Sequence, residues 1–282
     1  MDSEALALIC GLAAAASFGT GDFCGGVATK KSSVFSVIVI SQIVGLALLA
    51  GLAVTLGEPI PPGNNLVFGG LAGLFGTLGL TALYIGLARG RMGIVAPVSA
   101  IVGAVLPIIA GIFMEGVPTG GQLLGLLLGV FAIWYLAGGN GVTPAHAREL
   151  VMPILAGSGF GFFFIFIDQV SETTIFWPLV TARFVSITMI LTFIMVRRQQ
   201  VPSRLNPQLL IVVMLAGIFD AAGNIFFALA SRLGRLDIST TLTSLYPAGT
   251  VFLAWLILKE RLTTRQCFGV GIALAALVLI AW

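Results

Sequence analysis

Long, unbroken runs of apolar residues constrain this chain more than any other feature. Each is close to the length, about 20 mostly apolar residues, that a helix needs to cross a bilayer. Ten such runs cover 5–27, 33–56, 66–88, 93–114, 121–139, 150–170, 175–196, 208–230, 237–258 and 264–282. They lack the alternation of apolar and polar residues that marks a membrane barrel. The pattern therefore predicts an all-α integral membrane protein with ten transmembrane helices.

The composition supports this class and excludes a water-soluble body. Hydrophobic residues make up 58% of the chain and charged residues 9%, whereas a globular protein carries about 25% charged residues. The net charge of +3 is too small to indicate nucleic-acid binding. The three cysteines and the single histidine, His146, have no metal-ligand spacing. We expect a multi-pass protein of the cytoplasmic membrane without metal, cofactor or nucleic-acid partner.

The chain also repeats itself at a constant offset. A shift of 144 residues lays "LVFGGLAGLFGTLG" over "LIVVMLAGIFDAAG" and brings Gly90-Arg91 onto Gly234-Arg235. A half with five helices has an odd number of crossings, so the second half must enter the membrane upside down. The offset predicts a first five-helix repeat at 1–140 and a second, inverted repeat at 141–282. Inverted repeats are typical of secondary transporters, which hold their substrate at the interface between the repeats.

The most specific motif lies near the end of the chain. The stretch "SLYPAGTVFLAWLILKERLTTRQCFGVGIALA", residues 244–275, contains a mid-helix proline, then Glu-Arg-Leu-Thr, then a glycine-bearing last helix. The first half has a weaker copy, "LPIIAGIFMEGVPTGGQLLGLLLG", with Glu115 displaced by one position. In the first helix, Phe18-Gly19 replaces the usual tryptophan-glycine. Together with the paired halves, these features resemble the EamA-type repeat of the drug/metabolite transporter superfamily over essentially the whole chain.

The resemblance implies a secondary active transporter of a small metabolite that works by alternating access and is not an enzyme. Export is the first expectation, with proton coupling left open, and an uptake permease for a sugar or amino acid is the alternative. The resemblance also implies a central cavity between helices one, three, four, six, eight and nine, with helices five and ten peripheral. The expected partners are a small-molecule substrate, the lipid bilayer and, if transport is coupled, protons. A monomer and a weak homodimer both remain open.

The distribution of basic residues favours one orientation. Of the 14 lysines and arginines, eleven lie in odd-numbered loops and two in even-numbered loops. The positive-inside rule then places the odd-numbered loops in the cytoplasm and both termini outside. Proteins of the resembled family are usually described with both termini inside, so the two indications conflict.

Four ionisable residues lie within the predicted helices, where such residues usually face a cavity or a partner. They are Asp22, Asp168, Arg183 and Asp220. Asp168 is near a helix end, and the simpler interpretation is that it snorkels towards water beside Glu172.

Arg183 and Asp220 are expected to meet. Asp220 lies twelve residues into the eighth segment, and Arg183 lies thirteen residues before the end of the seventh. Because the two helices form an antiparallel hairpin, the side chains fall at nearly one depth, and Asn224 shares the face of Asp220. The pair is either a structural ion pair or part of a substrate or proton pathway. The repeat favours the second interpretation, since the 144-residue offset pairs these charges with Val39 and Gly76.

Asp22 stands in the glycine-rich stretch "SFGTGDFCGG". The spelling Gly-x-Gly-Asp matches the motif of intramembrane aspartyl proteases, which need a second aspartate to share one proton. The chain contains no Tyr-Asp pair and no Pro-Ala-Leu motif, so this protease is a distant alternative. The other interpretations are a carboxylate bonded to backbone, or one that lines the cavity and binds a cation or a proton. We expect Asp22 to face the interior, sheltered by a helix that the glycines allow close.

Two further groups complete the candidate residues. Polar side chains for the substrate or proton pathway are Tyr84, Tyr246 and Gln42, and prolines that favour kinks or gating are Pro97, Pro107, Pro178 and Pro247. Broken helices are where transporters build their sites, although packing alone also accounts for each residue. A non-transporting membrane scaffold is the other class, and substitution of Asp220 would leave the function of a scaffold intact.

Overall fold

The computed structural model describes residues 3–89, 92–115, 120–136, 144–171, 174–199, 205–233, 236–260 and 263–281. These residues form eleven α-helices and no strand. The helices are α1 (Ser3–Thr29), α2 (Val34–Thr55), α3 (Gly63–Arg89), α4 (Met92–Glu115), α5 (Gly120–Leu136), α6 (Pro144–Ser171), α7 (Phe176–Arg197), α8 (Pro207–Leu233), α9 (Leu236–Thr243), α10 (Tyr246–Ile257) and α11 (Thr264–Ala281).

The helices follow the predicted segments except at the ninth, which is broken. The sequence predicts one span over 237–258, but the structure ends α9 at Thr243 and begins α10 at Tyr246. Pro247 explains the break, because proline has no N–H for an interior helical bond and its ring clashes with the preceding turn. The two residues between the helices form tighter turns, with Leu245 N donating to Leu242 O at 3.1 Å.

Six helices are long and apolar enough to cross a membrane: α1, α2, α3, α6, α7 and α8. Four shorter apolar helices, Met92–Pro107, Leu123–Ala132, Tyr246–Ile257 and Cys267–Ala276, occupy the other predicted segments. Large apolar side chains cover the outside, with Leu127 on α5 70% exposed and Val196 on α7 74% exposed. Such an apolar exterior marks a surface that contacts lipid, so the chain is an all-α membrane protein.

The helices pack across the boundary between the halves in a reciprocal pattern. α1 packs along α8 and α3 packs along α6, while α2 contacts α8 and α3 contacts α7. α1 also contacts α9 and α10, as α6 contacts α4. In the two halves α1, α2 and α3 correspond to α6, α7 and α8, and α4 corresponds to α9 with α10. When each helix is replaced by its counterpart, the same set of contacts results. α5 and α11 pack against each other beside α4, in the peripheral place that the resemblance implies.

Two glycines permit two of these contacts at short range. A Cβ atom on Gly217 of α8 would lie 3.0 Å from the Cα of Ser41 on α2, and one on Gly73 of α3 would lie 2.6 Å from the Cα of Ala182 on α7. Real Cβ atoms rarely come so near to backbone, so only glycine fits at both positions. Gly73 and Gly217 are 144 residues apart. Their contacts bring α2 and α7, with their long polar side chains, against the centre of the protein.

Candidate functional site

A cavity lies between the two halves of the chain. It is lined by Phe18, Asp22, Gln42, Gly73, Gly76, Thr77, Leu80, Phe160, Phe163, Phe164, Leu179, Ala182, Arg183, Ser186, Asp220, Asn224 and Tyr246. These residues belong to α1, α2, α3, α6, α7, α8 and α10, and α4 contributes none among the described residues. Of the helices expected around the cavity, only helix four lacks a described lining residue, and α2 and α7 line it in addition to the expected set. The close packing of α2 and α7 lets Gln42 and Arg183 reach the centre.

Arg183 and Asp220 form the salt bridge that their matched depths predict. Arg183 Nη1 donates to Asp220 Oδ2 at 2.6 Å, and their side chains are only 9% and 19% exposed. Gln42 of α2 joins them, since its Oε1 accepts from Arg183 Nη1 at 2.7 Å and its Nε2 donates to Asp220 Oδ2 at 3.3 Å. The amide thus satisfies the carboxylate and the guanidinium together. Charge-assisted bonds of this kind hold a buried arginine in one geometry.

Asn224 supports the carboxylate from the next turn of α8. Its Nδ2 donates to the backbone oxygen of Asp220 at 2.7 Å and to Oδ1 of the same residue at 3.4 Å. These two acceptors fix which end of the amide carries the nitrogen. Within the described part of the chain, Asn224 Oδ1 has no hydrogen-bond partner, nor do Arg183 Nη2 and the hydroxyl of Ser186, and all three atoms are buried. Buried polar atoms usually have a partner, and because Asn224, Arg183 and Ser186 line the cavity, a ligand in the cavity could supply one.

Asp22 faces the interior, as predicted, and lines the same cavity with 8% of its surface exposed. Asp220 lines the same cavity. Among the described residues, Asp22 makes no hydrogen bond. The glycines around it allow close packing: a Cβ on Gly21 would lie 3.2 Å from Asp220 N, and the ring of Tyr84 occupies the space beside Gly25. Asp22 is therefore a buried carboxyl group without a partner of opposite charge among the described residues.

Comparison with known proteins gives the family. The model of the EamA-like transporter family matches residues 5–138 and again residues 148–282. The chain belongs to the EamA-like transporter family. It is accordingly a multi-pass membrane transporter of the drug/metabolite superfamily, built from two repeats and acting on a small molecule. One solved crystal structure aligns with a TM-score of 0.69 over 97% of this chain and 95% of its own, at 15% identity, and at that identity the likeness concerns the fold alone. No curated protein matches the sequence.

The geometry of this EamA-like protein also bears on the Gly-x-Gly-Asp motif. Asp220 is the second carboxylate near Asp22, but it is engaged by Arg183, Gln42 and Asn224. An aspartyl protease needs two carboxylates that share a proton. Asp220 already has the cation of Arg183 as its partner, so this pair does not match that arrangement.

The two predicted tyrosines take different positions. Tyr246 begins α10, lines the cavity and shares a 2.5 Å hydrogen bond with the hydroxyl of Ser99 on α4. Thr250, one turn later, donates to Gly19 O on α1 at 3.1 Å. These bonds fix the start of α10 beside α1 and α4. Tyr84 is 1% exposed and packs against Gly25 beside the cavity rather than on its wall.

The predicted prolines divide into two kinds. Pro97 and Pro107 lie inside α4, which continues through both. Pro178 is the third residue of α7 and Pro247 the second of α10. The prediction that these last two kink a helix interior is wrong, because the missing N–H costs nothing in a first turn. Pro247 instead marks the break between α9 and α10.

Asp168 is bonded to a neighbouring helix. Its Oδ1 accepts a 2.5 Å hydrogen bond from the hydroxyl of Ser231 on α8. The sequence did not indicate this partner, and Asp168 is only half-buried. Glu172, its expected companion, lies outside the described residues.

Sequence analysis missed Glu58, which lies in the loop between α2 and α3. Its carboxylate accepts hydrogen bonds from the backbone N–H groups of Ile175, Phe176 and Trp177, at 2.7 to 3.2 Å. Trp177 Nε1 in turn donates to Glu58 O at 2.8 Å. An anion is favoured at the N-terminus of a helix, and residue Ile175 cannot cap α7 with its own side chain. The absence of a capping residue before Phe176 is the signal in the sequence that could have pointed to a distant cap.

Proposed function

We propose that this EamA-like protein is a secondary active transporter that exports a small metabolite across the cytoplasmic membrane by alternating access. The observation that carries the proposal is the cavity between the halves, whose wall combines a fixed arginine with polar atoms that no group among the described residues satisfies. A scaffold gains nothing from such atoms, since each costs free energy to bury. A transporter gains a site that a substrate completes.

The reciprocal packing of helices supports two further parts of the proposal. We infer that residues 1–140 and 141–282 are inverted repeats about an axis in the membrane plane. Alternating access is then a rocking of one set of helices against the other around a fixed site. Asp22, Gln42, Arg183, Asp220, Asn224, Tyr84 and Tyr246 are proposed to form the substrate or proton pathway, with Pro97, Pro107 and the break at Pro247 in the moving helices.

The first experiment measures ligand-dependent thermal stabilisation of the purified protein across a metabolite library. Only a ligand that binds the folded state raises apparent stability by mass action. Hits are then tested for flux in proteoliposomes, with and without an imposed pH gradient. Flux of a stabilising ligand down its own gradient is expected. A library without hits, and no flux of any hit, would contradict the proposal.

Direction requires the orientation of the protein. In a Cys267→Ser background, we compare Gln199→Cys in the loop after α7 with Ile60→Cys in the loop after α2, both at exposed positions. The charge distribution predicts that Ile60→Cys reacts with a membrane-impermeant thiol reagent in intact cells and that Gln199→Cys reacts only after lysis. The opposite pattern would favour both termini inside.

Asp22→Asn tests coupling, because the substitution keeps the shape of the side chain and removes its charge. If Asp22 carries a proton during transport, flux driven by a pH gradient is lost in the variant while exchange of substrate for substrate persists. Unchanged flux with unchanged pH dependence would leave Asp22 a structural role only.

A further inference from the structure

We propose that the cavity selects an organic monocation: an amine beside Asp22 that also carries a hydroxyl group for Arg183 and Asn224 and an apolar body. The inference rests on the proposed transport function and names the class of its substrate.

The charge balance of the cavity gives the first argument. Its charged lining residues are Asp22, Arg183 and Asp220, and the salt bridge pairs the last two. The carboxyl group of Asp22 is left without a counter-charge in the described lining. A buried charge is costly until it is paired, and a ligand with a single positive charge pairs it. A zwitterion would leave the net charge of the cavity unchanged, and an anion would add a second negative charge to it.

The three unbonded polar atoms give the second argument. Arg183 Nη2 needs an acceptor, Asn224 Oδ1 needs a donor, and the Ser186 hydroxyl can act as either. A ligand hydroxyl is the simplest group that accepts one hydrogen bond and donates another. A carboxylate could satisfy Arg183 but could not donate to Asn224. The polar wall therefore fits a neutral hydroxyl better than an acidic group.

The aromatic part of the lining gives the third argument. Phe18, Phe160, Phe163 and Phe164 line the cavity, and the rings of Phe18 and Phe164 are 6.3 Å apart in an edge arrangement. Aromatic faces attract cations and pack against apolar groups. The ligand that matches Asp22, the unbonded polar atoms and the aromatic rings has an ammonium group, a nearby hydroxyl and an apolar body.

The test uses four probes that share one benzyl group. Phenylalaninol carries an ammonium and a hydroxyl, 2-phenylethylamine an ammonium alone, phenylalanine both charges, and 3-phenylpropionate a carboxylate alone. Affinities are measured from the shift of the thermal unfolding midpoint with probe concentration. We expect phenylalaninol to bind most tightly, 2-phenylethylamine about fivefold more weakly for the lost hydroxyl bonds, and 3-phenylpropionate not measurably. This ranking uses the wild-type protein and does not depend on the folding of any variant.

Variants locate the charge preference. Asp22→Asn should weaken phenylalaninol at least about tenfold, the usual scale for losing an ionic contact, while 3-phenylpropanol, which is neutral, binds as before. Asp168→Asn is the matched control, because it removes a carboxylate that lies outside the cavity lining, and it should keep the wild-type ranking. Equal affinities for phenylalaninol in wild type and Asp22→Asn would overturn the proposal.

Transport of the same probes separates the two claims. If proteoliposomes carry phenylalanine or 3-phenylpropionate in preference to the amines, the protein is a transporter and the substrate class is wrong. If the amines bind with the expected ranking but none of the molecules tested crosses the membrane, the charge selection stands and the transport proposal fails.

Discussion

Two of the polar junctions between the halves of this protein are built differently. In the centre, Gln42 from the first half bonds to Arg183 and Asp220 from the second, with charges of both signs and side-chain groups on every side. At the membrane edge, Glu58 from the first half binds backbone N–H groups at the start of α7. No described cation pairs with Glu58.

The difference follows from the surroundings of each junction. The side chains of Arg183 and Asp220 are shielded from water. In such surroundings an unpaired charge costs several kcal/mol. Glu58 is only half-buried, so water shares its solvation and the partial charge of a helix terminus is enough. The central junction should therefore tolerate almost no substitution, whereas the edge junction should tolerate loss of charge at modest cost. Four measurements test this contrast, in order of decreasing expected effect.

Asp220→Asn should have the largest effect. The variant leaves the Arg183 guanidinium without its counter-charge, and the free energy of unfolding should fall by about 3 kcal/mol. Substrate flux in proteoliposomes should be abolished. Stability is measured by equilibrium unfolding in mixed micelles. The control is Asp168→Asn, which makes the same chemical change at a hydroxyl contact, and equal losses in the two variants would contradict the special role of the central pair.

Gly217→Ala should come second. The new methyl group would meet the backbone of Ser41, and forcing an extra carbon into packed structure costs about 2 kcal/mol. Gly51→Ala is the matched control, since nothing lies within 4 Å of the position that its Cβ would take, and it should be neutral or stabilise α2 by up to about 1 kcal/mol. The unfolding assay above compares them. If Gly217→Ala left the free energy of unfolding unchanged, α2 and α8 would have to separate without cost.

Glu58→Gln should have a smaller effect. The amide oxygen still accepts hydrogen bonds from α7, but the charge at the helix N-terminus is gone, at a cost of about 1 kcal/mol. Added salt should narrow the difference from wild type, because salt screens exposed charges. A loss as large as that of Asp220→Asn, or one that salt does not change, would show that the edge junction resembles the central one.

Ser99→Ala and Ser186→Ala form the smallest and sharpest comparison. Ser99 bonds to the buried hydroxyl of Tyr246, so its removal should cost about 1 kcal/mol. Ser186 is equally buried but has no protein partner, so its removal should change the free energy of unfolding by less than about 0.5 kcal/mol. Thermal unfolding without ligand distinguishes them, and a Ser186→Ala variant that loses more than Ser99→Ala would contradict the assignment of its hydroxyl as unbonded.

The central ion pair shows how much of the site could be predicted. The depths of Arg183 and Asp220 follow from counting residues along two connected helices, because the rise per residue of a helix is fixed. Asn224 followed from the spacing of one turn. Gln42 was a candidate, but its bond to both charges was not foreseen, since nothing in the sequence fixes how α2 is rotated against α7 and α8.

The sequence by itself determined the membrane class, the helical segments and the repeat, because each of these is a property of local composition or of spacing along the chain. Only the tertiary structure decided which helices line the cavity, which polar atoms stay unbonded and that Glu58 caps α7. The reason lies in the solvent: in lipid, the outer and inner faces of a helix are both apolar, so hydrophobicity does not reveal the inward face. Which side chains meet in the centre then depends on close packing at glycines such as Gly73 and Gly217, and that packing exists only between helices far apart in the sequence.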